Sequence, residues 1–271
     1  DSLEQAARKR GYALVGGCDE AGAGPLMGPV CAGAVILPEG CDIPGLDDSK
    51  KLTEKKREAL YGVITERAIA WAVASVSAAQ IDATDILSAR IRAMALAIEA
   101  LTLRPDYVLI DGNRDHGKTA AITLPHETVI GGDGRSVSIA AASILAKVTR
   151  DRYVTQVLDR EYPQYLFAQH KGYGTKLHYA MLDQYGPCPE HPQSSLTKWQ
   201  ERQSCAGPRA PGARRRRPTT RPARATPCRP TAITAGSRRS TRTPDRPWSR
   251  PSSRSMPGPT RPTDSHGRTA H

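Results

Sequence analysis

Two adjacent carboxylates near the start of this chain have the pattern of a metal site. Residues 12–18 are mostly apolar, and Asp19 and Glu20 come directly after them. Neighbouring acids at the end of a buried strand repel each other and lose hydration. They are stable only where a cation or a proton offsets that cost. The pair therefore predicts a bound cation.

Two further acids could complete the site. Asp111 follows a short apolar stretch, residues 107–110, and Asp133 lies in a glycine-rich turn before a long predicted helix. Open α/β sheets place their sites at the C-terminal ends of strands, where we expect Asp19 and Asp111. A few carboxylates, with water and a substrate phosphate, form the ligand shell that Mg²⁺ or Mn²⁺ prefers. For Asp133, capping of the following helix is an alternative role.

The elements that must position these acids follow an α/β order. Apolar runs predict strands at 12–18, 30–37, 68–77 and 107–110, and helical periodicity predicts helices at 53–67, 86–102 and 136–160. Residues 163–201 are predicted as a loop with a small C-terminal helical segment from Thr175 to Tyr185. An antiparallel first pair followed by alternating helices and strands indicates a mixed β-sheet flanked by helices.

Five segments, in order, resemble the type 2 ribonucleases H, the bacterial ribonuclease HII family. They are DEAGAGPLMGPV at 19–30, DSKKL at 48–52, YVLIDG at 107–112, GGDG at 131–134 leading into SIAAASILAK at 138–147, and HKGY at 170–173. Five ordered motifs are far more specific than any one match. The resemblance covers roughly residues 11–201 and implies the ribonuclease H-like fold. It places Asp19, Glu20, Asp111 and Asp133 on the family's catalytic acids.

The resemblance implies an endoribonuclease that cleaves the RNA strand of RNA–DNA hybrids and single ribonucleotides embedded in duplex DNA, as in ribonucleotide excision repair. Two ions about 3.5–4 Å apart can activate a water and stabilise the leaving 3′-oxygen, so no covalent nucleophile is needed. The expected products carry 5′-phosphate and 3′-hydroxyl ends.

The resemblance also implies substrate contacts. Recognition of a ribonucleotide requires reading its 2′-hydroxyl, which distinguishes RNA from DNA. In the family a Gly-Arg-Gly turn and a tyrosine hold the nucleotide at the RNA–DNA junction. The matching positions here are Gly22, Ala23, Gly24 and Tyr173. Lys50, or its neighbour Lys51, and Lys147 are predicted to contact backbone phosphate, although each could be an ordinary solvated charge.

Two departures from the family pattern weaken the predicted substrate site. Ala23 stands where the family carries arginine, so five donors and a positive charge beside the scissile phosphate are absent. His191-Pro-Gln-Ser-Ser195 replaces the frequent His-Arg-Arg-Ser-Phe. We expect metal chemistry to survive and substrate binding to be affected.

Composition divides the chain near residue 201. Residues 202–271 contain 17 Arg, no Lys and 2 Asp, a net charge of +15, so residues 1–201 carry −3 of the total +12. Twelve of the 22 prolines also lie in this tail. Few apolar residues accompany them, which predicts a disordered segment after a catalytic domain at residues 1–201. The tail would bind polyanions non-specifically at low salt.

We expect a monomeric cytoplasmic protein that does not associate with membranes. No apolar run approaches the roughly 18 residues of a membrane span, and the first ten residues are charged rather than signal-like. The six cysteines show no C-x-x-C pair, as expected for reduced thiols.

Two other functions are alternatives to this interpretation of the sequence. Gly22, Gly24 and Gly28 after a strand imitate a dinucleotide-binding fingerprint, but Pro29 and the apolar run after it predict a second strand where that fingerprint requires a helix. The other alternative is a catalytically weakened nucleic-acid-binding variant that acts through its basic tail. The presence of all four acids argues against it.

Overall fold

The computed structural model describes residues 2–47, 49–112 and 117–205 and the backbone of residues 233–234. These residues belong to one compact unit, Asp1–Ser237. Asp48 of the second motif and most of the predicted tail lie outside the described residues.

Helices and strands alternate along most of the described chain. In chain order they are α1 (Leu3–Lys9), β1 (Val15–Ala21), β2 (Val30–Ile36), α2 (Glu54–Arg67), β3 (Ala70–Val76), α3 (Ala78–Asp82), α4 (Ile86–Glu99), β4 (Tyr107–Asp111), β5 (His126–Val129), α5 (Val137–Tyr153), α6 (Asp159–Glu161), α7 (Phe167–His170), α8 (Lys176–Tyr185), α9 (Thr197–Cys205) and β6 (Ile233–Thr234). A π-helical turn, Val154–Leu158, joins α5 to α6.

The strands form one mixed sheet in the order β5-β4-β1-β2-β3-β6. Strands β1, β4 and β5 run parallel, whereas β1–β2, β2–β3 and β3–β6 are antiparallel pairs. This arrangement confirms the predicted mixed sheet, and it places the ends of β1 and β4 side by side.

Helices cover both faces of the sheet. Alternate residues of a strand point to opposite faces. In β2, Ala32 and Ala34 pack in the cluster formed with α4, whereas Cys31 and Val35 pack in the cluster formed with α2 and α5. The sheet therefore lies between α4 on one side and α2 with α5 on the other.

Two glycines allow α5 to lie directly on the strands. A Cβ atom at Gly17 would lie 2.2 Å from the backbone carbon of Ser138, and one at Gly33 would lie 2.4 Å from the carbonyl oxygen of Ala142. Only a residue without a side chain permits such contact. This close packing brings the polar residues of α5 to the predicted catalytic acids.

The observed elements correct several predicted boundaries. Strand β1 begins at Val15 and continues through Ala21, because its pairing with β2 extends to Ala21↔Cys31. Asp19 and Glu20 therefore lie within the strand rather than after it. The predicted helix 136–160 is interrupted by the π-helical turn. The sequence reasoning missed α1, α3, β5, α7 and α9, which are too short to show a clear periodicity. The predicted loop at 163–201 therefore contains α7 and the start of α9 besides the expected helical segment, which is α8.

The predicted domain boundary at residue 201 falls inside α9, which continues to Cys205. Hydrogen bonds to Asp183 of α8, from Trp199 Nε1 at 2.8 Å and Gln203 Nε2 at 2.5 Å, tie both halves of this helix to the domain. Strand β6 also lies beyond residue 201 and pairs with β3. The remainder of the predicted tail lies outside the described residues.

The helices and cysteines of the described chain bear on the expected compartment. Among the described helices, none is long and apolar enough to cross a membrane. The cysteines of the described chain, at positions 18, 31, 41, 188 and 205, are all free thiols.

Candidate active site

Asp19 and Glu20 are adjacent in β1 but are bound from opposite faces of the sheet. Asp19 is 4% exposed and accepts hydrogen bonds from the Ser143 hydroxyl of α5 and from the Glu20 backbone N–H, the latter at 2.7 Å. Glu20 instead forms an ion pair with Arg90 of α4. The period-2 alternation of the strand directs the two acids toward different helices, but Glu20 remains close enough to Asp19 and Asp111 for their charges to interact.

Ser143 links the first acid to the second motif. Its hydroxyl lies 2.8 Å from the hydroxyl of Ser49, and both serines are buried. The chain of contacts Asp19, Ser143 and Ser49 brings the segment that carries Lys50 next to the site. Lys50 itself is exposed in a turn before α2.

Asp111 lies beside Asp19. Strands β1 and β4 pair in parallel through Cys18↔Ile110, so the next residue of each strand, Asp19 and Asp111, points to the same face. Asp111 Oδ1 accepts a hydrogen bond of 2.7 Å from the backbone N–H of Gly132. This bond fixes the carboxylate against the turn before α5.

Asp133 belongs to that same turn, a 3₁₀ segment at Gly132–Gly134, and is partly buried. Asp133 directly follows Gly132, whose backbone N–H binds Asp111. The helix is capped by Ser136, whose side chain accepts from the Ile139 N–H, so Asp133 is not the cap of α5. Asp133 also lines a cleft of about 220 Å³ with Asp42 and Asp47.

Burial and mutual repulsion dominate the electrostatics of the site. Burial, followed by the charges of Glu20 and Asp111, raises the pKa of Asp19 well above its usual value. Burial also raises the pKa of Glu20, although the Arg90 guanidinium opposes the shift. A nearby positive charge would therefore stabilise the ionised form of both carboxyls.

The donor set fits a hard divalent cation. Glu20 Oε2 is buried and has no hydrogen-bond partner, and the neighbouring acids offer only oxygen ligands. Within residues 2–205, as far as the structure describes them, no three His, Cys, Asp or Glu side chains surround a metal position by themselves. A cation here would use a small number of carboxylates, with water and substrate in the other positions.

The predicted substrate turn rests on a buried arginine. Gly22 has φ +107°, and a Cβ atom there would lie 2.5 Å from Pro29 O and 3.4 Å from Arg150 Nε. Arg150 is fully buried and donates to the carbonyl oxygens of Met27, at 2.9 Å, and Lys171, at 2.6 Å. It thereby connects the loop after β1 to the segment that carries Tyr173.

Tyr173 and Lys147 lie together at the surface of this region. The Tyr173 residue is 42% exposed, and Lys147 Nζ lies 3.2 Å from its hydroxyl and 5.1 Å from its ring centroid. Lys147 also pairs with Asp151 at 2.9 Å. In this state Lys147 supports the tyrosine, and its contact with phosphate stays a prediction.

Sequence reasoning missed three polar residues that the fold brings to these acids and to the turn, namely Arg90, Ser143 and Arg150. Arg90 is partly buried and Arg150 fully buried, and only the tertiary packing reveals this. Ser143 lies within a quoted motif, but its hydroxyl carries no sequence signal that distinguishes it from neighbouring small residues.

A family model of ribonuclease HII matches residues 16–202, more than half of the chain. The chain belongs to the ribonuclease HII family. The matched region contains the acids of β1 and β4, the turn before α5, and Tyr173. The same family was expected from the five motifs, so that expectation is confirmed.

Curated members of the ribonuclease HII family are similar over most of their length. The protein of Geobacter metallireducens is 50% identical over 190 residues, 70% of this chain and 87% of that protein. The protein of Geobacillus thermodenitrificans is 52% identical over 184 residues, 68% of this chain and 69% of that protein. The crystal structure of the ribonuclease H2 from Pyrococcus horikoshii matches with a TM-score of 0.58 and 25% identity, covering 70% of this chain and 98% of that one.

Membership of the ribonuclease HII family defines the broad activity. This chain is an endoribonuclease of RNA–DNA hybrids, in a family that depends on divalent metal ions. Its fold is the ribonuclease H-like fold, a mixed sheet flanked by helices.

Proposed function

We propose that this enzyme cleaves single ribonucleotides embedded in duplex DNA, as well as longer hybrids, by two-metal hydrolysis. The observation that carries the proposal is the trio of Asp19, Glu20 and Asp111. Burial and the neighbouring carboxylates raise the pKa values of Asp19 and Glu20, so a cation would stabilise their ionised forms. Such a site favours Mg²⁺ or Mn²⁺.

Asp19, Glu20, Asp111 and Asp133 would hold the ions. When bound, the ions activate a water and stabilise the leaving 3′-oxygen, giving 5′-phosphate and 3′-hydroxyl ends. The chain's own groups orient the ligands. Ser143 and the Glu20 N–H fix Asp19, while the Gly132 N–H fixes Asp111.

The turn Gly22–Gly24 and Tyr173 would select the ribonucleotide. Backbone groups of a turn with φ +107° at Gly22 can approach a sugar closely, and an exposed tyrosine ring can stack against it. Both sit on Arg150, which binds the loop after β1 and the carbonyl of Lys171. Lys50 and Lys147 are further candidates for phosphate contact.

The unit that performs this chemistry extends to Cys205, and the arginine-rich residues beyond it supply charge rather than catalysis. The net charge of −3 on residues 1–201 against +15 on residues 202–271 supports this division. We further infer a monomeric cytoplasmic enzyme.

The test is cleavage of three substrates in Mg²⁺ and in Mn²⁺. They are a DNA duplex with one embedded ribonucleotide, a long RNA–DNA hybrid, and an all-DNA duplex. We expect metal-dependent incision of the first two. The incised strand should carry a 3′-hydroxyl that a polymerase extends and a 5′-phosphate that a ligase accepts. Cleavage of the hybrid alone would contradict the proposed junction activity.

A second candidate function rests on Ala23 and the basic tail, namely binding of nucleic acid with weakened catalysis. The same assay with a parallel binding measurement distinguishes it, because such a variant would bind all three duplexes at low salt and cleave the two that contain ribonucleotides only slowly.

A further inference from the structure

Three buried histidines form a cluster beneath Tyr173. His170, His178 and His191 are 6%, 0% and 2% exposed. The rings of His170 and His178 stack with centroids 4.3 Å apart, and those of His178 and His191 lie 5.2 Å apart. The proposed two-metal hydrolysis uses none of these histidines. Their ring nitrogens bind the main chain and one another instead.

The contacts of His178 and His191 determine where their protons lie. His178 Nδ1 is 3.0 Å from the carbonyl oxygen of Tyr173, and a carbonyl only accepts, so this nitrogen carries the proton. His178 Nε2 is then an acceptor, and His191 Nε2, 3.0 Å away, must donate to it. His191 Nδ1 in turn accepts the Cys188 backbone N–H at 3.1 Å. One set of neutral tautomers satisfies every bond.

His170 has an equally defined proton. Its Nε2 lies 2.9 Å from the carbonyl oxygen of Tyr165, so Nε2 carries the proton, and its Nδ1 accepts the Gly172 N–H at 3.2 Å. The backbone oxygen of His170 also accepts from the Tyr173 N–H at 2.9 Å. Two histidines therefore hold the main chain on both sides of Gly172.

The neutral form is maintained by burial. Burial, followed by the neighbouring imidazole, lowers the pKa of His178 to about 4 and that of His191 to about 3. A proton added to His178 would place two N–H groups against each other across the 3.0 Å contact between the rings, and one added to His191 Nδ1 would oppose the Cys188 N–H at 3.1 Å. The bonds to Tyr173 therefore persist at neutral pH.

The segment that these bonds hold has an uncommon backbone. Lys171 has φ +50° and Gly172 has φ +84°, and a Cβ atom at residue 172 would lie 2.7 Å from Met27 Sδ. A non-glycine residue with positive φ persists only where its surroundings fix it. Arg150 binds the Lys171 carbonyl, and the Leu26 N–H binds the Gly172 carbonyl at 2.8 Å.

We propose that His178 and His191, with His170, are positioning residues that hold the Tyr173 backbone in a single conformation, so that its exposed ring is preorganised for the substrate. The inference rests on the proposed role of Tyr173. Its physical basis is that a ring fixed before binding loses less conformational freedom when the nucleotide arrives.

The first test is the tautomeric state, measured by ¹⁵N NMR of the imidazoles in the metal-free full-length protein at pH 7. We expect a proton on Nδ1 of His178 and on Nε2 of both His170 and His191, with all three rings neutral. His126, whose Nδ1 lies 2.7 Å from the Leu124 carbonyl, is an internal reference for the Nδ1 form. A His178 ring that is charged, or protonated on Nε2 alone, would overturn the proposal.

The second test compares variants of His178 in binding and cleavage of the duplex with one ribonucleotide. His178→Phe removes the donor to Tyr173, so we expect the KM and the Kd to rise about tenfold, with a smaller change in kcat. His178→Asn keeps a donor at the position of Nδ1 and should recover most of the loss. His126→Phe removes a similar bond elsewhere and serves as the matched control.

Failure of the proposed function and failure of the histidine contacts to position Tyr173 give different results. Absence of cleavage by the unaltered protein would refute the proposed function but leave the tautomers measurable. Should His178→Phe not fold, His191→Leu removes the bonds of His191 to His178 and Cys188 but leaves the His178 bond to Tyr173, and a weaker rise in KM is expected. Unchanged KM and Kd in a folded His178→Phe variant would show that the histidines do not position Tyr173.

Discussion

Arg90 forms an ion pair with Glu20 on the face of the sheet that α4 covers, opposite to the face where Ser143 binds Asp19. Glu20 is largely buried and Arg90 only partly so, with side-chain exposures of 10% and 31%. In the metal-free protein, α4 therefore supplies a positive charge to one of the proposed metal ligands. Removal of Arg90 should change both the stability of the protein and its response to metal.

Replacement of Arg90 by methionine should destabilise the metal-free protein by about 1–3 kcal/mol, because Glu20 loses its charged partner. Mn²⁺ should then raise the Tm of the variant by more than it raises that of the unaltered protein. Thermal unfolding with EDTA and with Mn²⁺ measures both effects. Arg92→Met, at an exposed position of the same helix, is the control. Equal losses in the two variants would contradict a specific role for Arg90.

Asp19→Asn should stabilise the metal-free protein at pH 8. Because burial raises the folded-state pKa of Asp19 above its unfolded value, near 3.9, folding stability falls as the pH rises from about 4 through the folded pKa. Asparagine does not ionise and escapes this loss, which we expect to be about 1–3 kcal/mol at pH 8. Denaturant unfolding between pH 4 and pH 8 should show a difference that grows with pH. A difference independent of pH would refute this electrostatic account.

Ala23→Arg should strengthen substrate binding or raise cleavage about tenfold or more, since a charge-assisted phosphate contact is worth about 1.5–3 kcal/mol. Residue 23 follows Gly22 in the turn above Arg150, so a longer side chain there extends from the turn that we propose as the substrate site. Ala79→Arg adds the same charge at an exposed position of α3 and controls for general electrostatics. No gain over this control would mean that the turn acts through its backbone alone.

Removal of the residues after Cys205 should leave metal-dependent cleavage and its position unchanged. The salt dependence of DNA binding should become much shallower, because the net charge of +15 lies almost entirely beyond this point. The loss of β6 removes a two-residue pairing with β3, so only a small decrease in Tm is expected. A full-length variant with residues 214–217 changed to glutamine should show an intermediate salt slope. A shifted cleavage position would show that the tail takes part in recognition.

The sequence predicted the mixed sheet and placed Asp111 correctly at the end of its strand, because apolar runs and strand ends are local signals. It placed Asp19 after β1 rather than within it, since the extent of a strand depends on its partner, here β2. The opposite orientation of Asp19 and Glu20 follows from period-2 alternation once that extent is known. The burial of Arg90 and Arg150 could not be predicted, because it arises from contacts between segments far apart in the sequence.

The central claim, that carboxylates of β1 and β4 bind the ions that drive cleavage, is tested most directly by comparing Asp111 with Asp106. Asp111 is the last residue of β4 and Asp106 directly precedes the strand, and each accepts a backbone N–H, from Gly132 at 2.7 Å and from Leu14 at 2.9 Å. Single-turnover cleavage of the duplex with one ribonucleotide should fall by more than about a hundredfold in Asp111→Asn. Asp106→Asn should cleave at a rate close to that of the unaltered protein. Cleavage by a folded Asp111→Asn variant at the unaltered rate in Mg²⁺ would contradict the account.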